Sequence, residues 1–178
     1  KSHTQPGDEL ICDFTSDVYR YEGGGIAANS GVSARLLHGE RGIFTAEDVQ
    51  NNIHPYDVHF PRTSLVVIEN TVNKGGGICW SDDQIDVVSA LTHKHGLALH
   101  LDGARLWNAL VFTKQDPLNY GKWFDSISVC FSKGLGCPVG SVLVGKQSFI
   151  EQAKRHRKRF GGGMRQVGFM AAACDYAM

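Results

Sequence analysis

Residues 97–105 read LALHLDGAR and residues 128–145 read SVCFSKGLGCPVGSVLVG, and what joins them decides the fold. The first is an apolar run ending on a carboxylate, Asp102, as a buried strand does where it reaches solvent. A second strand is expected over residues 126–131, stopping just before Lys133, with an apolar helix beginning over residues 104–112 between the two. A strand-helix-strand unit of about 30 residues pairs its strands in parallel and brings both C-terminal ends to one edge of the sheet, where ligands bind in such folds. Asp102 and Lys133 are therefore expected to face one another across a single cleft.

An aspartate and a lysine so placed suit pyridoxal phosphate. The lysine amine condenses with the cofactor's aldehyde, and a carboxylate beside the pyridinium nitrogen keeps the ring an electron sink. Ser132 before the lysine, and Gly134, Gly136 and Gly140 after it, suit a tight turn lying close to a cofactor. A lysine at a strand end is also commonly a solvated surface residue; the partner carboxylate and the glycines are what favour the chemical reading.

The 178 residues are 42% apolar and 20% charged, enough for one layered α/β core, and 18 basic residues offset 18 acidic ones. A formal charge of zero argues against a nucleic acid or a membrane held by bulk electrostatics. No apolar run reaches the length of a transmembrane helix. Cys12, Cys79, Cys130, Cys137 and Cys174 form no CxxC pair and show no zinc-like spacing, so reduced thiols in a cytoplasmic setting are expected.

Elsewhere the chain reads as alternating strands and helices. ELICDF (9–14) is a strand, and TAEDVQNNI (45–53) a short helix capped by Thr45 with Asp48 three residues on. Residues 64–70 are a continuously apolar strand, as befits one covered on both faces. Residues 82–94 form the crossover helix, with Ile85, Val88 and Leu91 on one stripe and Ser81 or Asp82 as cap. Gly75 to Gly77 read as a plain loop rather than a phosphate nest, and His93 and His95 as structural residues at a helix end. His100 and Asp102 make an HxD pair with no third ligand, so no metal site is read. Residues 147–160 form a basic helix, and residues 164–178 a last helix rich in small residues after the hinge Gly161 to Gly163. The expected fold is α/β, three layers αβα around a mostly parallel sheet, as one domain over residues 1–178.

HLDGARLWNA (100–109), SVCFSKGLGCPVGSVLVG (128–145) and FGGGMRQVGFMAAA (160–173) resemble the low-specificity threonine aldolases, fold type I enzymes that use pyridoxal phosphate. HFPRTSLVVIENT (59–71) and ICDFTSDVYRYEGG (11–24) extend the resemblance to nearly the whole chain. It implies a large cofactor-binding domain, with an N-terminal segment and a C-terminal small domain lying outside this sequence, in a homo-oligomer acting on a small amino acid. Threonine or allo-threonine would be cleaved to glycine and an aldehyde. By the same resemblance Lys133 and Asp102 are the catalytic pair, Ser132 adjoins the cofactor, and Arg105 directs its charge at the cofactor's phenolate oxygen, against a surface salt bridge as the plainer reading. Lys158 and Arg165 are implied at a subunit contact, reaching a phosphate or carboxylate.

Two positions depart from the family pattern. Asp17 stands where the family has a histidine stacked on the pyridine ring, and Val72 where ENTHN has a histidine near the substrate hydroxyl. Tyr21, with Tyr19 nearby, is a candidate substrate or subunit contact, or simply a half-buried tyrosine. An aspartate has no flat face to stack and a valine accepts no proton, so the expected base is missing. Two alternatives thus stay open: a related pyridoxal phosphate lyase acting by β-elimination, and a weak or inactive remnant of the aldolase fold.

Overall fold

In the computed structural model, which describes residues 1–178, the strand-helix-strand unit sits inside a six-stranded sheet. The strands are β1 (Glu9–Asp13), β2 (Ser33–Leu37), β3 (Thr63–Glu69), β4 (Ala98–Gly103), β5 (Ser126–Cys130) and β6 (Ser141–Gly145), in the spatial order β2-β1-β3-β4-β5-β6. The first five are parallel, and β6 runs antiparallel to β5. That reversal was not foreseen, yet it follows from length. A parallel partner needs a crossover of a dozen or more residues, and the short stretch 131–140 permits only a return.

Eight helices accompany the sheet: α1 (Asp17–Arg20), α2 (Gly25–Ser30), α3 (Ala46–Asn52), α4 (Asp82–Lys94), α5 (Leu106–Thr113), α6 (Pro117–Trp123), α7 (Gln147–Arg159) and α8 (Gly168–Ala177). Alternation along β3 and β4 sends Val66, Ile68, Leu99 and Leu101 to one side, where they pack with Val49 of α3, Ile85 and Val88 of α4, Leu106 of α5 and Tyr120 of α6. Leu65 and Val67 point the other way, joining Leu10, Cys12 and Val32, with Val18 and Ile26 against them. The sheet is thus covered on both faces, which is why its central strands could be continuously apolar.

Local signals set the helix ends. Thr45 and Asp48 exchange hydrogen bonds as a capping box at α3, and Ser81 and Gln84 do so at α4, each cap contributing about 1 kcal/mol. Helix α5 begins two residues later than expected because Ala104 is still in the turn that closes β4, its N–H donating to Asp102 Oδ1 at 3.1 Å. Helix α6 was missed, although Asp116 caps it and Pro117 opens it. Helix α8 starts at Gly168 rather than 164, after a turn in which Gln166 has φ 50°.

No helix is long and apolar enough to cross a membrane. Strand β6 and helices α7 and α8 contain no buried residue. Val142, Leu143, Val144, Met164 and Phe169 are consequently exposed.

Candidate active site

Parallel pairing places Glu69 of β3 beside Asp102 of β4, and Asp102 beside Ser128 of β5, at the C-terminal edge of the sheet. The backbone joins them further, Asn70 N–H donating to Asp102 O at 3.0 Å. Burial pushes the Asp102 carboxyl above its usual range. The Ala104 N–H and the Lys133 charge pull it back, and the charges of Asp17 and Glu22 push it up again. With Oδ1 held by Ala104, Oδ2 has no protein donor. A carboxylate in this state lacks a cationic N–H partner, which is what a protonated pyridine nitrogen supplies.

Glu69, the last residue of β3, organises the edge. Its Oε1 accepts the Asn73 N–H at 2.7 Å and its Oε2 the Asp17 N–H at 2.8 Å, tying the loop after β3 to the start of α1. Burial still raises its carboxyl, those two donors offsetting part of the effect. Asn73 Nδ2 then donates to both carboxylate oxygens of Asp17 at 3.3 Å. Asp17 thus joins this acidic group through Glu69 and Asn73.

Lys133 is exposed, in a turn closed by Gly136 N–H to Lys133 O at 2.9 Å and by Cys137 N–H to Phe131 O at 3.1 Å. The turn lies close against α5, for a Cβ on Gly134 would stand 2.3 Å from Asn108 Oδ1. Gly103, just after Asp102, meets backbone instead: a Cβ there would stand 2.7 Å from the Ser128 carbonyl oxygen and 3.2 Å from Leu106 Cβ. Backbone cannot swing aside as a side chain can. Gly103→Ala is therefore expected to destabilise the fold by about 1–3 kcal/mol, read from the urea midpoint; an unchanged midpoint would show that β4 and β5 separate freely here.

One strand step below Asp102 on the same face, His100 Nδ1 lies 2.7 Å from Ser126 Oγ, and His3 Nε2 lies 2.6 Å from that same oxygen. His3 also stacks on Phe149, so the three residues pin the first residues and α7 to the sheet. Burial holds His100 at about 4, far below an ordinary histidine, and lowers His3 as well. Between pH 6.5 and 4 the unfolded chain binds a proton that folded His100 refuses. Stability is therefore complete above pH 6.5 and falls as the pH drops towards 4, by about 3 kcal/mol for His100. His100→Asn should flatten that slope in urea titrations at pH 7 and pH 4.5, and an equal slope in the variant would remove His100 as its source.

The remaining sequence candidates are divided. Arg105 is half-buried at the N-cap of α5 and makes no ion pair, which removes the surface salt bridge as its role. Ser132 is exposed beside Lys133, its N–H 3.4 Å from Gly140 O. Tyr21 is 53% exposed under the Lys74 ammonium, 5.0 Å from the ring centroid, and so is not half-buried. Lys158 and Arg165 are exposed, Lys158 laying its stem over Gly163. Val72 is 2% exposed and belongs to the main core, with its N–H donating to Ile78 O.

The largest cavity, about 820 Å³, opens between the loop after β3 and the end of α5, lined by Trp80, Asp82, Lys114 and Asp116, and contains neither Asp102 nor Lys133. That cavity also gathers an arginine, a lysine and two carboxylates, Arg41, Lys114, Asp82 and Asp116; the sheet edge outweighs it as a site because Glu69, Asp102 and Ser128 adjoin there across the C-terminal ends of parallel strands, where ligands bind in such folds.

A threonine aldolase structure from Leishmania major superposes with a TM-score of 0.83 over 98% of this chain and 51% of that one, at 21% identity, a likeness of fold. Low-specificity L-threonine aldolase 1 of Arabidopsis thaliana is 41% identical over 97% of this chain and 49% of its own length. The low specificity L-threonine aldolase of Escherichia coli K12 is 39% identical over 99% of this chain and 53% of its own. The chain thus spans about half the length of these relatives. The beta-eliminating lyase family matches residues 1–178, and the chain belongs to that family.

Proposed function

We propose that this chain is the cofactor-binding part of a pyridoxal phosphate-dependent aldehyde-lyase that splits threonine or allo-threonine into glycine and an aldehyde. The observation that carries the reading is the arrival of Asp102 and Lys133 at one edge of the sheet from adjacent parallel strands. The residues fit the cofactor: a raised carboxylate with a free oxygen, an exposed lysine amine, and an unpaired Arg105 at the next helix start. When bound, pyridoxal phosphate supplies the electron sink for the bond broken at the substrate's α-carbon.

Asp102 would hold the proton on the pyridine nitrogen, and its buried setting would strengthen that pairing. Lys133 would hold the cofactor through its amine, which could also carry a proton at the substrate's α-carbon. Arg105 would supply a fixed positive charge toward the cofactor. Glu69 orients Asp17 through its amide. With Val72 turned into the core, Asp17 is left as the side chain nearest to the family histidine's task.

We place the enzyme in a homo-oligomer, its exposed β6–α7 face covered in the assembly, with Lys158 on that face and Arg165 in the turn that follows it. Five free cysteines fit a reducing, cytoplasmic setting. Product analysis tests the reaction: with allo-threonine, glycine and acetaldehyde in equal amounts are expected. Ammonia with a keto acid would assign the chain to β-elimination instead, and no product from an assembled, cofactor-loaded enzyme would make it an inactive remnant. The 178-residue chain alone is expected to give little cleavage, and robust cleavage by it would contradict the need for further surfaces.

A further inference from the structure

Cys137 lies within the turn that carries Lys133, and Cys174 lies on α8, yet the two thiols meet. Cys137 Sγ donates to Ala173 O at 3.8 Å, while Cys174 Sγ donates back to Val139 O at 3.7 Å. Each thiol thus bonds to backbone within two residues of the other cysteine. Burial raises the Cys137 thiol, and the neighbouring Cys174 thiol raises it further. Helix α8 has no buried residue, and it lines one cavity together with Phe131, Val139 and Gly140 of the lysine turn.

We propose that Cys137 and Cys174 are a reversible redox clasp, whose disulfide fixes the base of the Lys133 turn to α8. The two thiols differ in a way that orders the reaction: Cys174 is half-buried, whereas Cys137 is 8% exposed. A small-molecule disulfide such as glutathione disulfide is the oxidant. Cys174 loses its proton and attacks one oxidant sulfur; the oxidant's S–S bond breaks, one glutathione leaves, and a mixed disulfide forms. Cys137 then loses its proton and attacks the Cys174 sulfur, expelling the second glutathione. The protein loses two electrons and two protons, and the oxidant takes them up as two thiols. The disulfide stands on the contact alone, while its consequence for the cofactor rests on the role proposed for Lys133.

The test is oxidation of the native protein by glutathione disulfide, followed by digestion without reductant and peptide mapping. One cross-link is expected, Cys137 to Cys174, with Cys12, Cys79 and Cys130 outside it. Cys137→Ser should stop at glutathione on Cys174, and Cys174→Ser should leave Cys137 unmodified. Amide exchange over residues 131–140 should slow by about tenfold or more in the oxidised protein. Thiols that stay unlinked, a cross-link through another cysteine, or a disulfide that leaves exchange unchanged would overturn the clasp. Failure of Lys133 to take up pyridoxal phosphate in either redox state would count against the functional reading and leave these results standing.

Discussion

Asp102→Asn is expected to lower turnover of the assembled enzyme by about 10²- to 10³-fold, the range found when one preorganised electrostatic group is removed, while cofactor is still retained. Asparagine keeps the shape and its Oδ1 can still accept the Ala104 N–H, so the turn closing β4 survives. What disappears is the charge that holds a proton on the ring nitrogen. Folding provides a separate readout. Burial raises the Asp102 carboxyl, so its ionised form is a cost to the empty fold at neutral pH, relieved as the pH falls through the raised value. The empty variant should therefore be as stable as the parent or slightly more so, which separates a catalytic loss from a folding loss. Turnover equal to the parent's would mean that Asp102 does not face the ring.

Replacing Val72 by His, the residue the family carries there, is expected to harm the protein. Val72 is packed in the main core, and Gly42 approaches so closely that a Cβ on it would stand 2.5 Å from Val72 Cγ1. A larger ring overpacks that space by about 1–3 kcal/mol and also buries a polar group. The urea midpoint should fall accordingly. Asp17→His behaves differently, because Asp17 is only half-buried and its N–H to Glu69 bond is independent of the side chain. It should raise cleavage of allo-threonine by about tenfold, a modest fraction of the 10²- to 10⁴-fold range of general acid-base catalysis. It also removes the charge that pushes Asp102 up. The double change should gain less than Asp17→His alone. A stable, faster Val72→His protein would show that the loop after β3 turns its side chains the other way when substrate is bound.

These residues show where reading the sequence succeeds and where it stops. Elements with strong local signals were legible: α4 spans the residues its apolar stripe and Ser81 cap implied, and the Asp102 strand and the Lys133 turn lie where spacing put them. The direction of Val72 was not legible, because its place in ENTVN says nothing about which way a side chain points. The hydrogen bond of its N–H to Ile78 O closes the loop and sends the side chain inward. Glu69 and Asn73 were missed as organisers because their partner, Asp17, lies more than 50 residues away, and no periodicity reports such a pair. His3 was invisible for the same reason, reaching Ser126 across 123 positions. Strand β6 carried its own signal, in the shortness of the return after Phe131.

Borohydride reduction of the protein loaded with pyridoxal phosphate, followed by peptide mapping, tests most directly whether the two strand ends form one cofactor site. The label is expected on Lys133, within the peptide containing SKGLGC, and should be lost in Lys133→Ala with the fold intact. A label on another lysine, or bound cofactor that leaves every lysine unmodified, would contradict the assignment.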